Sequence, residues 1–281
     1  MKKVGLVLEG GAMRGMYTAG VIDVFLDNDI KVDGIIGVSA GALFGCNFIS
    51  KQKGRVIRYN LKYQRDKRYI SVRSFLKTGN IVNKDFAFYE LPQKLDIFDN
   101  KEFKKSKTKF YATVTNVETG EAEYPLIKDC TKQIEYFRAT SAMPFLSKIV
   151  EIDGKKYLDG AIADSIPVYK CMEMGYDKVI VILTRPITYR RKKSNKTLTK
   201  LVYRKYPKFV EAFNNRYKNY NKLVEQIIEM EARGEIFVIR PTISYKVGRL
   251  EKDPKRLQGM YDLGVKDCKR AMKNLKKYLE S

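Results

Sequence analysis

Apolar and polar positions along the chain follow two alternating patterns. Short apolar runs bounded by glycine or polar residues predict buried strands, at 4–8, 32–38, 110–116, 178–184 and 236–239. Stretches in which apolar or small residues recur at helical spacing predict helices, at 16–26, 40–50, 135–141 and 208–233. Because strands that alternate with helices build parallel sheets covered on both faces, we expect an α/β protein, a three-layer αβα sandwich with a mostly parallel central sheet.

Smaller elements are expected in the intervals between these strands. Turn residues at 118–121 separate the strand at 110–116 from a returning strand at 122–126. A further short strand at 156–158 ends at Asp159. Pro167 is expected just inside the next helix, with Asp164 or Ser165 near its cap.

The last third of the chain is strongly basic. The net charge is +23, and residues 185–281 hold 26 Lys/Arg against 10 Asp/Glu. We therefore divide the chain into a core at 1–185 and a basic helical extension at 186–281, packed on the core as a candidate lid or membrane-facing region. The basic excess suits an anionic membrane or nucleic acid, and a solvated lysine-rich surface is the alternative.

The terminal helix of this extension has an apolar side and a basic outer side. Its apolar side is formed by Val265, Cys268, Met272, Leu275 and Leu279. Docking on the core is the expectation for such a helix, and lying on a membrane is the alternative.

Composition restricts the compartment and the cofactors. No apolar run reaches 18 residues, so no membrane-spanning helix is predicted. The four cysteines are scattered and are interpreted as reduced core residues. We expect a cytoplasmic protein, with peripheral membrane contact as a further hypothesis. The absence of histidine and of a cysteine cluster argues against a transition-metal site.

Ser39 lies in Gly37-Val38-Ser39-Ala40-Gly41, between a predicted strand and a predicted helix. In that context Gly-x-Ser-x-Gly presents a nucleophilic serine on a sharp turn, where larger residues at the glycine positions would clash. A structural turn with an uninvolved serine is the alternative. A serine nucleophile commonly uses a histidine as its base, and this chain has none. The base would therefore be an Asp, Glu, Lys or Tyr.

Asp159 is the preferred base, because it ends a predicted strand and precedes Gly160 and Ala161. Parallel sheets place their sites at the carboxyl ends of strands. A carboxylate serves as a base only about 3 Å from the hydroxyl and with a suitable pKa. The rivals are Asp164, which also suits a helix cap, Asp153, which suits a hairpin turn before Gly154, and Glu9. Composition alone does not choose among them.

Gly10, Gly11 and Ala12 follow the first predicted strand and offer consecutive backbone N–H groups. Small residues let the backbone approach a ligand closely, so this loop is a candidate oxyanion hole. A phosphate- or dinucleotide-binding loop is the alternative, but the glycine spacing and the P-loop Lys-Ser that it requires are absent.

These blocks together resemble the patatin-like phospholipase family. Three blocks occur in the family's order, Glu9 to Gly15 (EGGAMRG), Gly37 to Gly41 (GVSAG) and Asp159-Gly160-Ala161, and the stretch at 139–145 is also similar. The resemblance covers residues 4–185. It implies that Ser39 and Asp159 form a catalytic dyad without histidine, and that Gly10, Gly11 and Ala12 form the oxyanion hole.

The resemblance also assigns supporting residues. Arg14 and Gly15 belong to the loop block, where Arg14 would steady the loop or meet a phosphate, with a structural salt bridge as the alternative. Glu9 stands where an Asp is common in the family, and Ala12 stands where a third Gly is common. We expect ordinary backbone angles at Ala12.

The implied function is a serine lipid acyl hydrolase of the phospholipase A or lysophospholipase type, acting through a covalent acyl-enzyme. No metal or organic cofactor is implied. Its substrate would be a phospholipid or another acyl ester. Residues 53–78 and 186–233 are candidates for substrate access, because aromatics beside cations suit a lipid interface such as an anionic membrane. Ordinary packing with a charged surface is the alternative. The alternatives are a general carboxylesterase or thioesterase on soluble acyl esters, and a non-catalytic basic protein that binds a membrane or nucleic acid. Nucleic acid is the less expected partner, since no motif for it is present.

Overall fold

A nine-stranded sheet runs through the computed structural model, which describes residues 2–193 and 195–281. Its main path has the order β6-β7-β3-β2-β1-β8-β9, and β4 and β5 pair with β3. The strands are β1 (Val4–Leu8), β2 (Gly34–Val38), β3 (Lys109–Asn116), β4 (Ala122–Glu123), β5 (Leu126–Ile127), β6 (Val150–Ile152), β7 (Lys155–Asp159), β8 (Lys178–Ile182) and β9 (Ile236–Ile239). Neighbouring strands from β3 to β9 on the main path are parallel, whereas β6 and β7 form an antiparallel hairpin at the other edge. The prediction of a mostly parallel sheet is confirmed.

Helices cover both faces of this sheet. They are α1 (Met16–Asp27), α2 (Ala40–Ile49), α3 (Arg55–Tyr63), α4 (Val72–Thr78), α5 (Asn100–Lys105), α6 (Ile134–Thr140), α7 (Val168–Glu173), α8 (Lys196–Val202), α9 (Pro207–Ala232) and α10 (Pro254–Glu280). Short 3-10 helices follow β1 at Ala12–Gly15 and β7 at Gly160–Ile162, and a π-helix that contains Pro92 spans Asp85–Leu95.

Alternate residues of the central strands pack into two separate hydrophobic cores, one on each face of the sheet. In β1, Leu6 and Leu8 pack with α1, α2 and α10 on one face, while Val7 packs with α7 and α9 on the other. Successive side chains of a strand point to opposite faces, so the uninterrupted apolar run of β1 requires cover on both sides. The three-layer arrangement follows from this requirement.

The terminal helix α10 docks on α1. A Cβ added to Gly20 would lie 2.2 Å from the carbonyl oxygen of Tyr261, and one added to Gly264 would lie 2.2 Å from that of Tyr17. The glycines therefore let the two backbones approach closely. The expectation that this helix packs on the rest of the chain is met, although the proposed division at residue 185 stays a prediction.

Most predicted elements are present, with ends within two residues of the expected ones for the five long strands and the four helices. The predicted strand at 122–126 is instead the two short strands β4 and β5, separated by Tyr124 and Pro125. Proline has no N–H to donate to a sheet, which accounts for the interruption.

The prediction for the start of α7 is wrong in detail. Pro167 occupies the N-cap position rather than the first helical turn, and no side chain caps this helix. Asp164 accepts a hydrogen bond from the backbone N–H of Ile166, and Ser165 donates to the carbonyl of Ala161. Both side chains are thus used in the turn that precedes the helix.

Within the described residues, no helix combines the length and the apolar character needed to cross a membrane.

Candidate active site

Ser39 lies on a sharp turn between β2 and α2, in an unusual backbone conformation. Its φ of 54° and ψ of −122° place a non-glycine residue in a region that L-residues rarely adopt. A Cβ added to Gly37 would lie 2.6 Å from Cα of Ala42, and one added to Gly41 would lie 2.4 Å from the carbonyl oxygen of Leu8. Both glycines are therefore required by the close approach of neighbouring backbone, and the turn has the geometry of a nucleophile elbow.

The Ser39 turn is held from the far side by Thr140 at the end of α6. The backbone N–H of Ser39 donates to Oγ1 of Thr140 at 2.8 Å, and that hydroxyl donates to the carbonyl of Thr113 at 2.6 Å. Since both bonds are buried, they compensate polar groups that would otherwise be unpaired. They also tie the turn to β3.

The hydroxyl of Ser39 donates a hydrogen bond to Oδ2 of Asp159 at 2.9 Å. Ser39 is 7% exposed and Asp159 is 6% exposed. Two residues 120 positions apart in the sequence are thus brought together at the carboxyl end of the sheet. The distance is the one that a proton transfer between hydroxyl and carboxylate requires.

Asp159 is fixed by its position at the end of β7. Its Oδ1 accepts from the N–H of Ala161 at 2.9 Å, and its own carbonyl accepts from Oγ1 of Thr115 at 2.9 Å. A Cβ added to Gly160 would lie 2.1 Å from the carbonyl oxygen of Thr113, so the chain can turn here only at glycine. The Asp159-Gly160-Ala161 block therefore aims one carboxylate oxygen at Ser39.

Burial raises the pKa of Asp159 above the ordinary aspartate value, and the charge of Arg216 is the largest influence that opposes the shift. The N–H of Ala161 and the hydroxyl of Ser39 oppose it as well. A raised pKa makes the carboxylate a stronger base than an exposed aspartate.

The loop of Gly10, Gly11 and Ala12 lies beside the serine. A Cβ added to Gly10 would approach Cβ of Ser39 to 3.0 Å, and one added to Gly11 would lie 2.7 Å from Oγ1 of Thr184. In the part of the chain that the structure describes, the N–H groups of Gly10 and Gly11 donate to no other protein group. They are available to an oxygen placed near Ser39.

Ala12 departs from the expectation of ordinary backbone angles. Its φ is 48°, in the left-handed region. A side chain costs about 1 kcal/mol or more in this region, whereas glycine adopts it freely. The expectation was wrong because the tight passage from β1 into the 3-10 helix at Ala12–Gly15 imposes the angle. A glycine, which is common at this position in the resembled family, would adopt this φ without strain.

The three rival carboxylates lie in other surroundings. Glu9 accepts hydrogen bonds from the N–H and the hydroxyl of Thr184 and from the hydroxyl of Tyr220. Asp164 accepts from the hydroxyl of Tyr124. Asp153 lies in the predicted hairpin turn between β6 and β7, with a φ of 50°. Asp159 is the carboxylate that contacts Ser39.

A cavity of about 140 Å³ opens at Ser39. One wall is α2, from which Ala40, Leu43, Phe44 and Cys46 contribute. The π-helix contributes Phe88, Leu91 and Pro92, and α6 adds Ile134 and Phe137. The lining is mostly apolar, and the helical rise from Ser39 to Cys46 gives a length of about 10 Å along α2.

Comparison with known protein families decides the relationship that the motifs indicate. The model of the patatin-like phospholipase family matches residues 6–172, more than half of the chain and a span that contains both Ser39 and Asp159. The chain belongs to the patatin-like phospholipase family. A second model, described as a domain of unknown function (DUF6363), matches residues 206–280.

Individual relatives agree with this assignment. The uncharacterized protein YjjU of Escherichia coli is 32% identical over 196 residues, which are 66% of this chain and 52% of that protein. The lysophospholipase NTE1 of Scheffersomyces stipitis is 26% identical over 181 residues, 64% of this chain but only 11% of that protein. The chain thus spans about half of the first protein and a small part of the second.

The fold of the family is also found among solved structures. VipD from Legionella pneumophila superposes with a TM-score of 0.51 at 11% sequence identity, over 97% of this chain and 67% of that one. At this identity the likeness concerns the fold alone. It agrees with the mixed, mostly parallel sheet flanked by helices.

Arg14, in the patatin-like loop block, is 8% exposed. Sequence reasoning left it either a salt-bridge partner or a phosphate contact. Within the described residues its guanidinium makes no salt bridge, and its Nε is buried without a hydrogen-bond partner. Burial and, to a lesser extent, the nearby charge of Arg185 lower the pKa of Arg14 to about 10. Gly15 fits against Phe44, where a Cβ would come within 2.8 Å of the ring.

Sequence reasoning missed Arg216 and Arg249 as residues of the site. Arg216 lies on α9 and interacts electrostatically with Asp159, and Arg249 lines the cavity together with Ser39. Both lie in the match to the domain of unknown function, outside the patatin-like span. They carry no motif, and the basic composition around them gave no reason to single them out.

Proposed function

We propose that this protein is a serine lipid acyl hydrolase in which Ser39 is the nucleophile and Asp159 the general base. The observation that carries the proposal is the buried hydrogen bond of 2.9 Å between the two side chains in a chain without histidine. The strained turn at Ser39 and the raised pKa of Asp159 support it.

The chemistry needs only groups that the chain supplies. Asp159 takes the proton of Ser39 as Oγ attacks the ester carbonyl, and the N–H groups of Gly10, Gly11 and Ala12 bind the oxyanion. The tetrahedral intermediate expels the alcohol, which receives the proton from Asp159. A water molecule then attacks the acyl-enzyme and gives a proton to Asp159. Departure of the fatty acid returns that proton to Ser39.

The cavity along α2 is the proposed acyl site. It begins at Ser39, so an ester carbonyl at the nucleophile places its acyl chain between α2 and the π-helix. Apolar lining stabilises a buried hydrocarbon chain by roughly 0.8 kcal/mol per methylene. Family membership and the name lysophospholipase of relatives such as NTE1 support a lipid as substrate.

The alternative substrates are soluble acyl esters or thioesters. The dyad would act on them by the same steps, and the acyl cavity favours a long chain over a short one. A non-catalytic binding protein would leave the Ser39–Asp159 hydrogen bond and the open oxyanion loop without a role.

The test combines active-site labelling with hydrolysis. Purified wild type, Ser39→Ala and Asp159→Asn are treated with a fluorophosphonate probe and assayed on a lysophospholipid and on a short-chain soluble ester. We expect labelling and hydrolysis in wild type alone, with the lysophospholipid as the better substrate. Full esterase activity in Ser39→Ala would refute the mechanism, and a preference for the soluble ester would refute the lipid substrate.

We further propose that two exposed helices contact the membrane that holds the substrate. On α4, Val72 is 67% exposed and Leu76 is 79% exposed, and on α8 Leu201 is 69% exposed. Both helices flank the segment at 143–146: the N–H of Ile81, just after α4, donates to the carbonyl of Leu146, and the N–H of Phe145 donates to the hydroxyl of Tyr203, just after α8. Met143 of that segment lines the cavity.

A further inference from the structure

Five arginines interact electrostatically with one another or with the dyad residue Asp159. We call Arg14, Arg185, Arg191, Arg216 and Arg249 the arginine cluster. Arg14 and Arg185 follow the neighbouring parallel strands β1 and β8, and Ser39 follows β2, so all three lie at the same edge of the sheet.

The other three arginines are brought to this edge by the C-terminal part of the chain. Arg249 lines the cavity beside Ser39, and its carbonyl lies 3.5 Å from the N–H of Met13 in the oxyanion loop block. Arg216 lies one turn before Tyr220 on α9, on the same face of the helix.

Two tyrosines hold Arg185 and Arg191 in place. Cζ of Arg185 lies 4.2 Å from the ring centre of Tyr189, and Cζ of Arg191 lies 4.9 Å from that of Tyr220. The two rings pack edge to face with centres 6.0 Å apart. The N–H groups of a guanidinium lie in its own plane. When the guanidinium stacks on an aromatic ring, they point outward, parallel to the ring, and stay free to donate to a ligand.

The arginine cluster lacks matching acids. In the described residues none of its five guanidinium groups forms a salt bridge, and the Nε atoms of Arg14, Arg191 and Arg216 are buried without hydrogen-bond partners. Glu9 and Asp159 act on Arg14 and Arg216 through their charge. Their hydrogen bonds go to other groups, those of Glu9 to Thr184 and Tyr220 and those of Asp159 to Ser39 and Ala161. Arg14 is buried and Arg185, Arg191 and Arg216 are half-buried, and the five positive charges outnumber the two carboxylates. Because an excess of like charges away from water is costly, the arrangement favours an added anion.

The electrostatics of individual members agree with this geometry. The pKa of Arg216 is lowered to about 9, chiefly by burial and also by the charges of Arg191 and Arg249, against the charge of Asp159, which raises it. A bound anion would remove this mutual repulsion, because it favours the protonated form of each arginine.

We propose that the arginine cluster is a phosphate subsite, which selects acyl esters whose alcohol part carries an anionic phosphate group. The inference rests on the proposed function and specifies its substrate class. With the acyl chain along α2 and the ester carbonyl at Ser39, the alcohol part of the ester lies toward the cluster. Planar guanidinium groups bind phosphate oxygens in pairs, and a phosphate monoester with close to two charges suits several of them.

A different role for Arg216 makes a different prediction. If Arg216 only balances the charge of Asp159, its loss lowers kcat/KM equally for phosphorylated and uncharged esters. A phosphate subsite instead concentrates the loss in the phosphorylated ester. The two lipids 1-oleoylglycerol 3-phosphate and 1-oleoylglycerol share one acyl chain and one ester bond, and so isolate the phosphate.

The first experiment measures kcat/KM for both lipids in wild type, Arg216→Gln and Arg191→Gln. We expect wild type to prefer the phosphorylated lipid, and each variant to reduce that preference about tenfold or more, as for the loss of a charge-assisted hydrogen bond. Lys218→Gln is the matched control, because Lys218 is exposed on the same helix and is expected to change nothing. A preference that survives both arginine substitutions would overturn the subsite.

The second experiment measures binding and does not depend on turnover. Ser39→Ala protein, with and without Arg191→Gln, is titrated with both lipids and with inorganic phosphate by calorimetry. Tighter binding of the phosphorylated lipid that Arg191→Gln abolishes supports the subsite even when no ester is hydrolysed, in which case the proposed function alone fails. Binding of inorganic phosphate without discrimination between the lipids assigns the arginines to free phosphate and overturns the headgroup assignment. Equal binding of both lipids with no phosphate binding overturns the proposal entirely.

Discussion

The hydroxyl of Tyr220 on α9 donates a hydrogen bond of 2.8 Å to Oε1 of Glu9, the residue that precedes the proposed oxyanion loop. Glu9 is 3% exposed, and Thr184 supplies its other two hydrogen bonds. A contact between residues 211 positions apart thus joins α9 to the loop beside Ser39. It makes α9 part of the structure that positions the site.

Replacement of Tyr220 by Phe is expected to destabilise the fold and to weaken activity. The change removes one donor from a buried carboxylate, a loss worth about 2 kcal/mol. For a domain of this size we expect the midpoint of thermal unfolding to fall by roughly 5 °C. Calorimetry of the purified variant measures it. Tyr169→Phe is the control, since Tyr169 is 49% exposed and should leave the midpoint unchanged. An unchanged midpoint in Tyr220→Phe would show that the bond does not support the loop.

The acid limb of the pH profile should report Asp159. As a base it must be ionised, so kcat/KM falls as pH drops through its pKa. Burial raises that pKa, and the midpoint of the limb is therefore expected above about 3.9, the value of an exposed aspartate. Hydrolysis of a neutral ester, whose own charge is constant with pH, gives the profile.

Arg216 provides the check on this assignment. Its positive charge opposes the rise of the pKa of Asp159, so Arg216→Gln is expected to move the limb to still higher pH. Lys218→Gln, an exposed change on the same helix, should leave the limb in place. A limb that does not respond to Arg216 would mean that another group titrates.

Ala12 should accept glycine and reject a β-branched residue. Its φ of 48° carries a side-chain penalty of about 1 kcal/mol, which glycine removes, although glycine loses more chain entropy on folding. We expect Ala12→Gly to keep activity within about threefold and stability within about 1 kcal/mol, and Ala12→Val to lose both. Urea unfolding and ester hydrolysis measure the two effects. Ala19→Gly within α1 is the control and should cost about 2 kcal/mol, because Ala19 is a helix residue whose methyl group is also buried. A similar loss of stability in Ala12→Gly would contradict the interpretation that the backbone at Ala12 is strained.

The sequence predicted the framework of the site because that framework is local. The apolar runs of β1, β2 and β8 read as buried strands, and Ser39 and Asp159 each lie in a short block whose glycines are required by close backbone contacts. The positive φ of Ala12 was not foreseen, since it depends on how β1 enters the following helix. Arg216 and Tyr220 were not foreseen either, because their partners lie far away along the chain and only the packing of α9 brings them together.

The far end of the proposed acyl cavity should set the preferred length of the acyl chain. Cys46 lies on α2 about 10 Å beyond Ser39 by helical rise, and it lines the cavity. Cys46→Leu fills part of that end, so we expect kcat/KM for long-chain esters to fall about tenfold while that for butyryl esters changes less than about twofold. A series of p-nitrophenyl esters measures this. Cys46→Ser keeps the size and is the control. Equal losses across the series would place the acyl chain elsewhere.

The exposed apolar residues of α4 and α8 should bind anionic membranes. Leu76 and Leu201 are 79% and 69% exposed, and Arg73, Lys77, Lys196 and Lys200 lie on the same helices. Burial of a leucine side chain in a bilayer interface is worth about 1.5 kcal/mol or more, and the cations add attraction that salt screens. We expect Leu76→Ser with Leu201→Ser to lower partitioning into phosphatidylglycerol vesicles by about a hundredfold, as measured by sedimentation.

Two comparisons separate this surface from general basic attraction. Ile97→Ser removes another hydrophobic residue, 65% exposed but outside α4 and α8, and should leave partitioning unchanged. The double variant should keep its activity on soluble esters, because neither leucine lines the cavity. Weak and equal binding of wild type to anionic and neutral vesicles would exclude the membrane contact. Loss of binding in Ile97→Ser to the same extent would show that hydrophobic residues contribute without regard to position, and that α4 and α8 have no special part in docking.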